Sequence, residues 1–277
     1  MRKKIAYISG TRADFGLMTP VLKAIRDSDK LELELYATGM HLMPEFGQTL
    51  NHVRKEFPEV KEIPAIFKKD ERVGVARFAG DFLKELVAYF AKDKPDFVLI
   101  LGDRVEMLSV AVASLYLGIP TGHLHGGEIT STVDETARHA ITKLSCLHFP
   151  ATEESAKRIE KMGEEHWRIH VVGAPALDTI LNEKLSTKEE FYRKIGLKTG
   201  ERFILVTQHP ASEEAEDAAR QMEETIAAVK KIGLPAVITY PNADAGGREM
   251  IAVIEKERDN PSVHIFPSLE YKTFLAA

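Results

Sequence analysis

Phe97-Val98-Leu99-Ile100-Leu101-Gly102-Asp103-Arg104-Val105-Glu106 decides the fold. Its apolar run is strand-length, closes on Gly and Asp, and leads directly into an amphipathic helical pattern over Arg104 to Leu117. Continuous apolar runs of this kind read as strands buried on both faces, as in a parallel sheet covered by helices.

The unit recurs on both sides. Ile5 to Ile8, Leu31 to Ala37, Thr121 to Leu124, His148 to Pro150 and His170 to Val172 are further short apolar runs. Between them lie helical patterns over Leu17 to Ser28, Val73 to Lys92, Asp134 to Leu144 and Glu153 to Met162. This alternation predicts an α/β fold built on a doubly wound parallel sheet. At Gly173-Ala174-Pro175 the pattern gives way to a connector rich in Asp, Asn, Lys and Ser/Thr, which reads as a hinge. Residues 1–172 are expected to form one Rossmann-like domain and residues 173–277 a second. The second contains strands at Phe203 to Thr207, Ala236 to Tyr240 and Val263 to Phe266, and helices at Glu213 to Ile232 and Gly246 to Asp259. The run from Tyr271 to Ala277 breaks off inside an apolar helical pattern, so this second domain is expected to be incomplete.

Composition narrows the function. Lys and Arg number 37 against 42 Asp and Glu, giving a net charge of -5, which excludes a general electrostatic attraction to nucleic acid. A single cysteine, Cys146, excludes an internal disulfide and a cysteine-rich metal site, and suits a reducing cytoplasm. The apolar stretch after the N-terminus is too short for a signal segment, and no window approaches the roughly 18 apolar residues of a membrane span.

Polar residues cluster where the strands end. Ser9-Gly10-Thr11-Arg12-Ala13-Asp14-Phe15-Gly16 joins the first strand to a helix, and Arg12 with helix-start N–H groups would suit a phosphate or pyrophosphate. The stretch lacks G-x-G-x-x-G, so no nicotinamide cofactor is implied; the alternative is an ordinary turn capped by Thr11 or Asp14. Asp103 sits where open α/β sheets place functional groups, with a helix cap as its alternative role. The densest stretch runs from His123 to His139 and contains His125-Gly126-Gly127-Glu128, Asp134, Glu135 and Arg138. Carboxylates and imidazoles gathered in a cleft can abstract and return protons, and the Gly pair would let the backbone approach a ligand. The alternative has Asp134 capping its helix and pairing with Arg138 while the histidines pack. His123-x-His125 without a helical His-x-x-x-His argues against metal. In the second unit Thr207-Gln208-His209-Pro210 and Pro241-Asn242-Ala243-Asp244 close strands that would face these loops.

In this order the motifs resemble the hydrolysing UDP-N-acetylglucosamine 2-epimerase family, in its sialic-acid and legionaminic-acid branch. The resemblance also takes in Thr38-Gly39-Met40-His41-Leu42, Pro44-Glu45-Phe46-Gly47, Arg138 through Lys143 and Gly173-Ala174-Pro175 with Asp178, and so spans nearly the whole chain. It implies a glycosyltransferase-B-like fold of two Rossmann-like domains. It also implies a reaction in which UDP leaves C1 as the C2 proton is removed, after which the glycal is hydrated to a free 2-epimeric sugar. That sugar would be N-acetylmannosamine or a 4-acetamido-6-deoxy analogue. By position, Asp103 and Asp134 look like the family's catalytic carboxylates, with Glu128 and Glu135 beside them and His209 approaching from the second domain. His125 stands where the family often has its main glutamate, which leaves the base open between His125 and Glu128. Arg12, Asp14, His41, Arg104, Arg138 and Asn242 are the expected substrate contacts. No cofactor or metal is implied; the partner is a UDP-sugar, and the family suggests a homodimer. The stripe Val73, Ala76, Phe78, Phe82, Leu86 and Phe90 could serve association but reads first as core.

Overall fold

Strands Lys3–Ser9 (β1), Leu31–Ala37 (β2), Lys61–Glu62 (β3), Phe97–Leu101 (β4), Thr121–Leu124 (β5) and Leu147–Phe149 (β6) form one sheet in the order β3-β2-β1-β4-β5-β6, with every pairing parallel. The computed structural model describes residues 2–69, 71–130 and 132–277, apart from the side chain of Ser212; Ser131 of the dense polar stretch lies outside the described residues. The strand order reverses direction between β1 and β4. The carboxyl ends of these two strands therefore diverge into a crevice, the place where doubly wound sheets bind ligands.

Helices Arg12–Arg26 (α1) and Leu50–Glu56 (α2) cover one face of this sheet, and Arg72–Asp93 (α3), Val105–Leu117 (α4) and Val133–Leu144 (α5) cover the other. The two-residue repeat of a strand divides β1 between two cores. Ala6 and Ile8 pack with Phe78, Phe82, Leu86 and Phe90 of α3, while Tyr7 packs with Met18 and Leu22 of α1. The α3 stripe is thus core from Phe78 to Phe90, whereas Val73 is exposed. A capping box, with the Thr11 side chain accepting from Asp14 N–H, starts α1 at Arg12, five residues before the expected Leu17.

After β6, helix Glu153–Lys161 (α6) leads to the segment expected to hold a sixth apolar strand. His170 to Val172 does not form one. Its N–H groups reach the His148 and Pro150 carbonyls, but only one bridge, His148 to Ile169, is made, and Val172 is exposed. The expected connector contains two helices, Ala176–Asn182 (α7) and Lys188–Ile195 (α8); a Thr187–Glu190 capping box starts α8 and Gly196 ends it. The second sheet comprises Ile204–Val206 (β7), Ala236–Thr239 (β8) and Val263–Phe266 (β9), parallel and in that order. The expected helix from Glu213 to Ile232 is broken. A 3-10 turn over Ser212–Asp217, kinked at Glu214, precedes Ala218–Ile232 (α9). Helices Gly247–Glu255 (α10) and Tyr271–Phe274 (α11) complete the chain's described elements. No helix among the described residues is long and apolar enough to cross a membrane.

Candidate active site

The carboxyl ends of the two sheets enclose a cavity of about 450 Å³, within the range that binds small molecules. Thr11, Arg12, Asp14, Asp103, Arg104, His125, Glu128 and Arg138 line it from the first sheet's loops; Thr207, His209, Thr239 and Asn242 do so from the second, with Tyr271 and Phe274 of α11.

The β1 turn is a rigid frame. Asp14 accepts from Gly10 N–H at 2.9 Å and from the Ser9 hydroxyl at 2.5 Å, and Ser9 in turn lies 2.8 Å from His41 Nε2. Burial raises Asp14 to about 6 against these hydrogen bonds, and lowers His41 to about 4, so His41 is neutral. Asp14 is therefore largely spent on the turn. His41, an expected substrate contact, does not line the main cavity; Thr49 holds its other nitrogen at 2.8 Å, beside a smaller neighbouring hollow. Arg12, the expected phosphate ligand, instead crosses the cleft and donates to the Tyr240 carbonyl at 2.8 Å and to the Pro267 carbonyl, tying α1 to the ends of β8 and β9.

At the end of β4 the helix cap is Arg104, not Asp103. Arg104 lies 3.3 Å from Asp244 across the cleft and 3.3 Å from Glu106, whose carboxylate is fully buried without a hydrogen-bond partner among the described residues. Asp103 turns instead to Arg138. This guanidinium, only 6% exposed, reaches from α5 to Asp103, to Glu128 Oε2 at 2.8 Å and to the His125 carbonyl at 3.2 Å. It is not paired with Asp134, and its NH1 and NH2 donors are committed inside the protein rather than free for substrate. Glu128 accepts from His125 Nδ1 at 2.7 Å with its other oxygen, and that bond, more than Arg138, holds its carboxyl below the usual range. His123 packs, as its alternative reading proposed. It is fully buried between Gly102 O and Thr142 Oγ1 and driven to about 3 by burial.

The Gly pair has a different purpose from the one expected. A Cβ at Gly127, where φ is +77°, would lie 2.4 Å from the Ser155 carbonyl, and one at Gly126 would lie 2.9 Å from His123. Both glycines let the loop pack on α6 and β5, rather than admit a ligand. Asp134 and Glu135 also fall outside the cavity wall. Asp134 accepts from the Thr132 hydroxyl, and burial, followed by repulsion from Asp103 and Asp244, raises its carboxyl. Glu135 accepts from Thr130 N–H at 2.8 Å and secures the loop. Across the cleft, His209 Nδ1 accepts from Asn242 N–H at 3.2 Å; desolvation lowers its pKa, while Asn242 Oδ1 is buried without a partner among the described residues. Tyr271 and Phe274 escaped the sequence reading because isolated aromatics in an apolar run carry no chemical signal; Glu106 stood within a motif but was assigned no role. No group of three or more potential metal ligands occurs among the described residues.

Residues 23–277 match the protein family described as UDP-N-acetylglucosamine 2-epimerase. The chain belongs to that family. Among similar members is the UDP-N,N'-diacetylbacillosamine 2-epimerase (hydrolyzing) of Legionella pneumophila, 40% identical over 99% of this chain and 73% of its own length. Another is the GDP/UDP-N,N'-diacetylbacillosamine 2-epimerase (hydrolyzing) of Campylobacter jejuni, 31% identical with the same coverage. The crystal structure of UDP-GlcNAc 2-epimerase from Neisseria meningitidis bound to UDP-GlcNAc superposes with a TM-score of 0.74 at 20% identity, covering 98% of this chain and 74% of that one. The UDP-N-acetylglucosamine 2-epimerase family fold is accordingly the α/β, glycosyltransferase-B-like one, and this chain spans about three quarters of the length of these relatives.

Proposed function

We propose that the chain is a hydrolysing 2-epimerase that takes UDP-N-acetylglucosamine, or a UDP-linked 4-acetamido-6-deoxy analogue, and releases UDP and the free 2-epimeric amino sugar. One observation carries this reading. Asp103 and the His125–Glu128 pair, from the tips of two adjacent strands, are drawn together by Arg138 beside the switch point of the first sheet, facing His209 and Asn242 across the cleft.

The chemistry asks for such a wall. As the C1–O bond to UDP breaks, a base must take the C2 proton, and negative groups must stabilise the positive charge developing at C1. Water then adds its hydroxyl to C1 of the resulting glycal, and a proton reaches C2 from the opposite face. Asp103 is the carboxylate that flanks the anomeric centre. His209 and Asn242 approach the leaving diphosphate from the second sheet. The two bacillosamine relatives, both hydrolysing 2-epimerases, support release of a free sugar over interconversion of two nucleotide sugars.

Incubation with UDP-N-acetylglucosamine, with products resolved by NMR, tests the proposal. Stoichiometric UDP and free N-acetylmannosamine are expected, and a product still linked to UDP would refute hydrolysis.

A further inference from the structure

The His125 side chain holds two features that a packing residue does not need. Its backbone lies in the left-handed region, at φ +59°, which strains a residue bearing a Cβ and recurs at functional sites. Its Nε2 is shielded from water and has no hydrogen-bond partner among the described residues, although the ring lines the cavity. An orphaned buried polar atom is unfavourable, and one at a cavity wall suggests that a ligand completes it.

The other nitrogen explains the arrangement. Nδ1 lies 2.7 Å from Glu128 Oε1, and an ionised carboxylate only accepts, so the ring proton sits on Nδ1 and the lone pair on Nε2. Glu128 itself is poorly placed to act as a base, because its second oxygen is taken by Arg138 at 2.8 Å. Arg138 also binds the His125 carbonyl, so the same guanidinium fixes both the carboxylate and the strained backbone beneath the ring. The charged and titratable groups facing His125 are Glu128 on its own loop, Arg138 from α5, Asp103 at the end of β4, His123 on β5 and His209 across the cleft.

From this geometry we infer that His125 Nε2 is the base that removes the C2 proton, and that Glu128 is its positioning residue. The inference rests on the reaction proposed above and resolves which group starts it. The C2–H electron pair becomes the C1–C2 double bond, the C1–O pair departs with UDP, and the proton is left on Nε2. The resulting imidazolium is stabilised by the Glu128 carboxylate at Nδ1.

The experiment compares the unaltered chain with His125→Asn and Glu128→Gln, reading UDP release and deuterium uptake at C2 in heavy water. Asn tolerates a left-handed backbone, so the loop is retained while the base is lost. His125→Asn is expected to lower both readouts by roughly 10²-fold or more. Glu128→Gln is expected to lower turnover and move the acid limb of its pH profile to lower pH, because the imidazolium loses its carboxylate. A purely structural Glu128 would leave that limb in place. His125→Asn within about threefold of the unaltered rate, or an unmoved acid limb in Glu128→Gln, would overturn the assignment; the second readout suffices if His125→Asn does not fold. No deuterium uptake by the unaltered chain would instead defeat the reaction itself, and the base assignment with it.

Discussion

Arg138, on the second turn of helix α5, closes on Asp103 at the end of strand β4, thirty-five positions earlier in the chain. The same guanidinium holds Glu128 and the His125 carbonyl, so one buried cation sets the spacing of the groups proposed to do the chemistry. Replacement of Arg138 by Met leaves two partly buried carboxylates facing each other without their cation. A loss of about 2–4 kcal/mol in unfolding free energy is expected, together with loss of activity, and urea titration checks it. Unchanged stability would mean that solvent already screens the cluster.

Asp103→Asn separates charge from shape. Asp103 does not cap α4, and the amide still offers Arg138 an acceptor, so the melting temperature should change by only a few degrees. Turnover should fall by roughly 10²-fold or more if the carboxylate stabilises the reacting centre. Parallel loss of folding and activity would return Asp103 to a structural role.

Gly127→Ala tests the seating of the catalytic loop. Its methyl would meet the Ser155 carbonyl at 2.4 Å, on backbone with φ +77°. The expected cost is about 2–4 kcal/mol, from strain plus displaced packing. Activity should fall with it, because Arg158 also donates to the Gly127 carbonyl and anchors the loop to α6. Wild-type stability in this variant would show that the loop is not packed as described.

Stability depends on pH through buried histidines. Burial lowers His123 to about 3, so below the ordinary imidazole value of about 6.5 the unfolded chain binds a proton that the folded chain does not. Stability must fall as pH drops through that window. His41, held at about 4, acts in the same direction. Asp14, raised to about 6, opposes both, because the folded state takes up its proton first as pH falls below 6. His123→Gln should flatten the decline in unfolding free energy between about pH 6.5 and 4. An unchanged slope would place the titration elsewhere.

Much of this architecture was readable in the chain because buried strands impose continuous apolar runs. Phe97 to Leu101 and Thr121 to Leu124 coincide with β4 and β5, and the polar tip of β4 borders the switch point. His170 to Val172 has the same composition but lies exposed beside β6, and apolar content alone does not distinguish the two. The connector helices were hidden because α8 is specified by a Thr187–Glu190 capping box and Gly196, signals easily read as loop. Within the site, residue types identified the cluster but not its pairing. Arg138 could meet Asp134 one turn away or Asp103 across the sheet, and only tertiary placement selects the latter. Local sequence likewise gave no sign that Arg12 would spend its donors on the Tyr240 and Pro267 carbonyls.

Mass analysis of the sugar released in heavy water tests most directly whether these strand tips act on one anomeric centre. Each freed molecule should carry a single carbon-bound deuterium, located at C2, with UDP formed in equal amount. Free sugar that retains its original hydrogen at C2 would mean simple hydrolysis without proton abstraction, and the proposed convergence of base and carboxylates would have no reaction to serve.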